Sequence, residues 1–85
     1  MNKTHIDIDP INNLLYVRLC EGKVYKTIEH ENGDILVDLN RNGKILGIEF
    51  LNLNIPRGKL HTIAQKYHNP SIDKIHPNEA LKVYA

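Results

Sequence analysis

Eighty-five residues, 41% of them hydrophobic and 25% charged, make one small globular domain and exclude a disordered chain. A formal net charge of +1 gives no global electrostatic pull toward nucleic acid or membrane, and neither is expected as a partner. Cys20 is the single cysteine, so neither an intrachain disulfide nor a cysteine-based zinc cluster can form, and a reducing compartment is expected.

The N-terminal MNKTHIDID has no apolar run after its lysine, so it does not read as a secretory leader. The longest apolar stretches, such as Ile35-Leu36-Val37, are far too short to span a bilayer. A cytoplasmic protein is the expectation. Charge is uneven: residues 1–56 carry six Lys/Arg against eight Asp/Glu, and residues 57–85 carry five against two. Such halves attract each other, within one chain or between protomers.

The first half reads as strands near 4–9, 14–20, 23–30, 34–40 and 44–51. Asp9-Pro10-Ile11-Asn12-Asn13 is a loop by composition and brings Ile8 to Leu15 and Ile6 to Val17. Glu21-Gly22 is read as a tight turn that sets Leu15 against Ile28. Asn32-Gly33 and Asn42-Gly43 are strong hairpin signals, because a type I′ turn needs positive φ at both central residues. They place Ile28 against Val37, Val37 against Ile48, Ile35 against Phe50 and Leu39 against Leu46. Every pair across Asn42-Gly43 beyond the turn is then apolar on both sides. Val24 and Leu46 join this inner face, and Lys26 is its misfit, an inward charge expected to snorkel to water.

An apolar sheet face needs a cover. Over residues 57–68, Leu60, Ile63, Ala64 and Tyr67 form one helical stripe, with Asn69-Pro70 as its stop. A second short helix from about Pro77 has Ile72, Ile75, Leu81 and Tyr84 to bury. The fold expected is α+β: a five-stranded antiparallel meander sheet with one covering helix and a short C-terminal helical segment. It forms a single domain, divided as 1–53 meander, 54–69 helix and 70–85 tail.

The run from Ile6 to Leu51 resembles the family known as domain of unknown function 2283. Asp9-Pro10, Leu15-Tyr16-Val17-Arg18-Leu19, Gly33 to Asp38 and Gly43 to Glu49 carry the likeness. Ile11 departs from it, standing where a loop acid is common, and the tail from Asn54 is longer than the family core. The resemblance implies a β-meander with a helix and implies no activity. Antitoxin-type members make protein binding one implied role.

Strand parity turns Tyr16, Arg18, Tyr25, Leu36, Asp38, Ile45 and Glu49 away from the core, and these are the candidate interface residues. A fully solvated sheet face, which by parity also takes Leu14, has no need of two tyrosines, two leucines and an isoleucine. One expected row runs Asp7, Tyr16, Thr27, Asp38, Gly47, with Gly47 leaving a recess beside Asp38.

Chemistry is sparse. No carboxylates pair at catalytic spacing by this register, and no catalytic residue is assigned. His61 and His68, seven apart on one helix, cannot chelate one metal together, and no cofactor or metal is expected. Arg57 and Lys59 place cations at a helix N-terminus, where an anion would relieve the clash with the helix dipole. The function expected is a non-catalytic protein-interaction module that is homo-oligomeric and neutralises a protein partner in the manner of an antitoxin. The alternatives are a phage-encoded inhibitor of a host defence enzyme, and a nucleotide-like anion binder or enzyme built on Arg57 and Lys59.

Overall fold

In the computed structural model, which describes the backbone of residues 5–84 and the side chains of residues 5–80, five antiparallel strands form one sheet. They are β1 (His5–Asp9), β2 (Leu14–Arg18), β3 (Lys26–His30), β4 (Ile35–Leu39) and β5 (Ile45–Phe50). Helix α1 (Arg57–Lys66), a 3-10 turn (Pro70–Lys74) and helix α2 (Pro77–Tyr84) follow. Leu81 and Tyr84, expected to pack α2, have side chains outside the described residues.

The strand order is β1-β2-β5-β4-β3, which corrects the expected sequential meander. Only β3, β4 and β5 follow one another as neighbours, and β2 pairs with β5 instead of β3. Glu21-Gly22 is therefore no hairpin turn. Residues 19–25 cross the ends of β5 and β4, where Leu19 and Cys20 N–H donate to the Leu46 carbonyl and Tyr25 N–H donates to that of Leu39.

Burial explains this order. Leu15 and Val17 of β2 are buried, and pairing with β5 sets them beside Phe50 and Ile48. β3 offers a single aliphatic side chain, Ile28, so its KTIEH sequence suits an edge. Lys26, paired with Leu39 on the helix side, is exposed there, and an inward-pointing charge on an edge strand blocks further pairing.

Two turns differ in an instructive way. Asn32 (φ 57°) and Gly33 (φ 89°) sit between Glu31 and Asp34, whose N–H donates to the Glu31 carbonyl at 3.1 Å. Glu31 (φ 53°) is left-handed too, so the expected positive-φ pair is extended by one residue into a 3-10 turn, and Ile28 does face Val37. At Asn42-Gly43 the loop has three residues, because Asn40 N–H donates to the Lys44 carbonyl. The Asn40 side chain accepts from the N–H groups of Asn42 and Lys44 at 2.9 Å each, which holds the wider loop.

The longer loop pairs Leu39 with Ile45 instead of Leu46, and a bulge beyond it restores Asp38 to Gly47 and Val37 to Ile48. Ile45 consequently joins the core, 2% exposed, and is removed from the candidate interface. Leu46 is fully buried away from the main cluster, against Gly22, where a Cβ would come within 2.9 Å of Leu46 Cδ2. Val24, expected inside, is 41% exposed because its connection runs past the sheet end.

Leu60, Ile63 and Ala64 of α1 and Ile72 of the 3-10 turn cover the inner face, with Tyr67 half-buried beside them. Helix α1 is two residues shorter than the expected 57–68 span. It ends at Lys66 with Tyr67 as its cap residue, and beyond it His68 (φ 52°) N–H donates to the Gln65 carbonyl and Asn69 N–H to that of Ala64, a Schellman-type cap with histidine in the glycine position. The Asn69 side chain then accepts from Ser71 N–H and opens the 3-10 turn.

Candidate functional site: the uncovered sheet face

Among the described residues no helix lies over the other sheet face. Register fixes its rows. One runs His5, Arg18, Gly47, Asp38, Thr27, and the next runs Asp7, Tyr16, Glu49, Leu36, Glu29. Asp7 and Asp38 therefore stand in different rows, and the expected row joining Asp7, Tyr16 and Asp38 is replaced. The change follows from inserting β5 between β2 and β4.

The new order builds a polar brace. Tyr16 Oη donates to Asp38 Oδ2 at 3.0 Å, and Thr27 Oγ1 donates to Asp38 Oδ1 at 2.6 Å. Side chains from β2, β4 and β3 thus meet across four strands. Gly47 on the intervening β5 makes room, since a Cβ there would lie 1.9 Å from Tyr16 Oη. The expected recess at Gly47 is filled by this chain's own phenol. Partial burial, together with the hydrogen bond and negative charge of Asp38, pushes the Tyr16 phenol up to about 12. Tyr16 is thereby held neutral, as a donor.

Arg18, Leu36, Asp38 and Glu49 are half-buried on this face, as expected from parity. Arg18 Nη1 donates to the Cys20 carbonyl at 3.4 Å. Tyr25 lies at the sheet end, 56% exposed, with the Arg41 guanidinium 4.7 Å over its ring. Thr27 is the partner that the sequence reading left out of the candidate set. The Asn32-Gly33 register already sets Thr27 opposite Asp38, and only the strand order brings Tyr16 to the same carboxylate across β5. The face carries Asp7, Glu29, Asp38 and Glu49 against Arg18, so it is acidic.

Arg57 and Lys59 face other partners. The Arg57 guanidinium donates to the carbonyls of Asp73 and Ile75, clamping the end of the 3-10 turn to the start of α1. Lys59 Nζ lies 3.4 Å from Glu31 Oε1. Both cations thus have anionic or carbonyl oxygens of this chain beside them. His61 Nδ1 stands 3.0 Å from Asp73 Oδ2. No group of three or more metal-ligating side chains converges among the described residues.

A second polar contact joins the layers. His30 Nε2 on β3 and the Tyr67 hydroxyl at the end of α1 are 2.6 Å apart, with their rings edge to face. Burial and the nearby Lys66 charge hold the His30 imidazole below its ordinary pKa, with Glu31 opposing the shift. The two groups share one hydrogen bond, and burial raises the Tyr67 pKa.

The sheet, its helical cover and its one open face define a small α+β protein. Residues 5–54 match the family described as protein of unknown function (DUF2283), and the chain belongs to that family. The match takes in the whole sheet and ends before α1. No curated protein and no solved structure matches the chain significantly. No described helix is long and apolar enough to cross a membrane.

Proposed function

We propose that this chain is a non-catalytic protein-interaction module whose open sheet face docks the basic surface of a protein partner, neutralising it in the manner of an antitoxin. The observation that carries this reading is the composition of that face. Leu36 and the Tyr16 ring supply apolar area, and the surrounding Asp7, Glu29, Asp38 and Glu49 supply negative charge. An apolar centre rimmed by charge of one sign suits a partner of the opposite sign. The same charges oppose a homodimer made face to face.

Capture from cell extract with tagged wild type, beside a Leu36→Glu/Tyr25→Ala variant, tests the reading. The expected result is a basic protein retained by wild type, released by raised salt and lost from the variant. Equal retention by both chains moves the site off this face.

A further inference from the structure

The two edges of the sheet are not equivalent. β3 turns Lys26 toward the helix side, a charge that blocks strand addition there. β1, the other edge, turns only Ile6 and Ile8 inward, and both are half-buried. Between the β1–β2 end of the sheet and the segment leading into α2 lies a cleft of about 470 Å³. The sheet lines it with Ile6, Leu15 and Val17, and the facing segment adds Ile75 and Ala80 together with polar side chains such as Lys74 and Glu79. On the outer side β1 presents His5, Asp7 and Asp9.

We propose that the β1 edge takes an extended segment of a partner protein as a sixth strand, with aliphatic side chains alternating with lysine or arginine. A strand added about 4.8 Å from β1 sends alternate side chains to opposite faces. One set enters the cleft over its aliphatic sheet side beside Ile6, and the other lies along Asp7 and Asp9. A second copy of β1 fits less well, because its longest antiparallel register sets the two Asp7 side chains against each other. This edge borders the open sheet face and shares Asp7 with it, so Ile6→Lys and Leu36→Glu are the variants that tell the two docking modes apart.

The experiment is an NMR titration of the full chain, ¹⁵N-labelled, with an end-blocked heptapeptide of alternating lysine and valine. Saturable shifts centred on β1 and the cleft are expected. Ile6→Lys, which gives β1 the inward charge that β3 carries, lowers affinity at least tenfold. Asp7→Lys, at an exposed position, lowers it similarly and serves if Ile6→Lys melts early. Leu36→Glu leaves peptide binding unchanged while removing any docking on the sheet face. The proposal is overturned by absence of saturable binding, by shifts centred on β3, or by equal binding of a peptide with its lysines and valines in separate blocks.

Discussion

The Tyr16 hydroxyl reaches Asp38 Oδ2 at 3.0 Å by lying across β5 at Gly47, the position where that strand carries no side chain. A phenol on β2 and a carboxylate on β4 are thus joined over a strand that belongs to neither. Thr27 completes the contact from the sheet edge at 2.6 Å.

Gly47→Ala should break this arrangement. The new methyl group would occupy the place of Tyr16 Oη, so the ring must leave and Asp38 loses one donor. Overpacking of this kind costs about 1–3 kcal/mol, to be read from urea unfolding. Tyr16→Phe removes only the hydrogen bond and should cost about 1 kcal/mol. A Gly47→Ala variant as stable as wild type would mean that the ring does not rest there.

The same contact predicts a limb of alkaline instability. Tyr16 has a folded pKa of about 12 against an ordinary 10.0, so folding favours its neutral form. Its contribution is complete below the unfolded pKa and is lost as pH rises through the folded value. Between those two values wild type should lose more stability than Tyr16→Phe, measured by denaturant unfolding at a series of alkaline pH values. Parallel curves for the two proteins would refute the assignment.

His30 gives the opposite limb. Its folded pKa lies below the ordinary 6.5, so folding favours the neutral imidazole. That contribution is present above the unfolded pKa and is lost as pH falls toward the folded value. His30→Gln should flatten the acid limb of stability just below that ordinary pKa. A histidine titration followed by NMR should give His30 a midpoint below the ordinary 6.5. A His30 midpoint above the ordinary value would contradict the buried contact with Tyr67.

His68 holds φ 52° at the end of α1, a region that burdens any residue with a Cβ. His68→Gly should stabilise the fold by up to about 1 kcal/mol, the relief of strain being partly offset by a freer unfolded chain. Thermal unfolding would show a higher Tm. A lowered Tm would indicate that the imidazole makes a contact worth more than the strain.

Arg57 should prove to be structural. Its guanidinium donates to the carbonyls of Asp73 and Ile75, and lysine cannot reproduce that fork. Both Arg57→Ala and Arg57→Lys should therefore speed amide exchange over residues 70–76, with a stability loss of about 1 kcal/mol. Unchanged exchange in both would leave the cation free for another role.

Local chemistry already contained much of this architecture. Asn32-Gly33 set one hairpin through its demand for positive φ, and Asp9-Pro10 with the asparagines after it set another. The inward faces of Ile8, Leu15, Ile35, Val37, Ile48 and Phe50 follow from alternation, as does the stripe of Leu60, Ile63 and Ala64 from helical spacing. These rest on a residue and its close neighbours along the chain, which is information a sequence carries directly. Asn42-Gly43 shows the limit: its loop gained a residue through the Asn40 side chain, a bulge took it back, and Ile45 took the core place expected of Leu46, which is buried instead against Gly22. Strand order was a matter for the tertiary structure, because it depends on which strands compete best for the buried centre. Leu15 and Val17 won places beside Ile48 and Phe50, and β3 with its Lys26 went to the edge. The Tyr16–Asp38–Thr27 contact follows from that order, since hydrogen bonds across a sheet exist only once its strands have been assigned their neighbours.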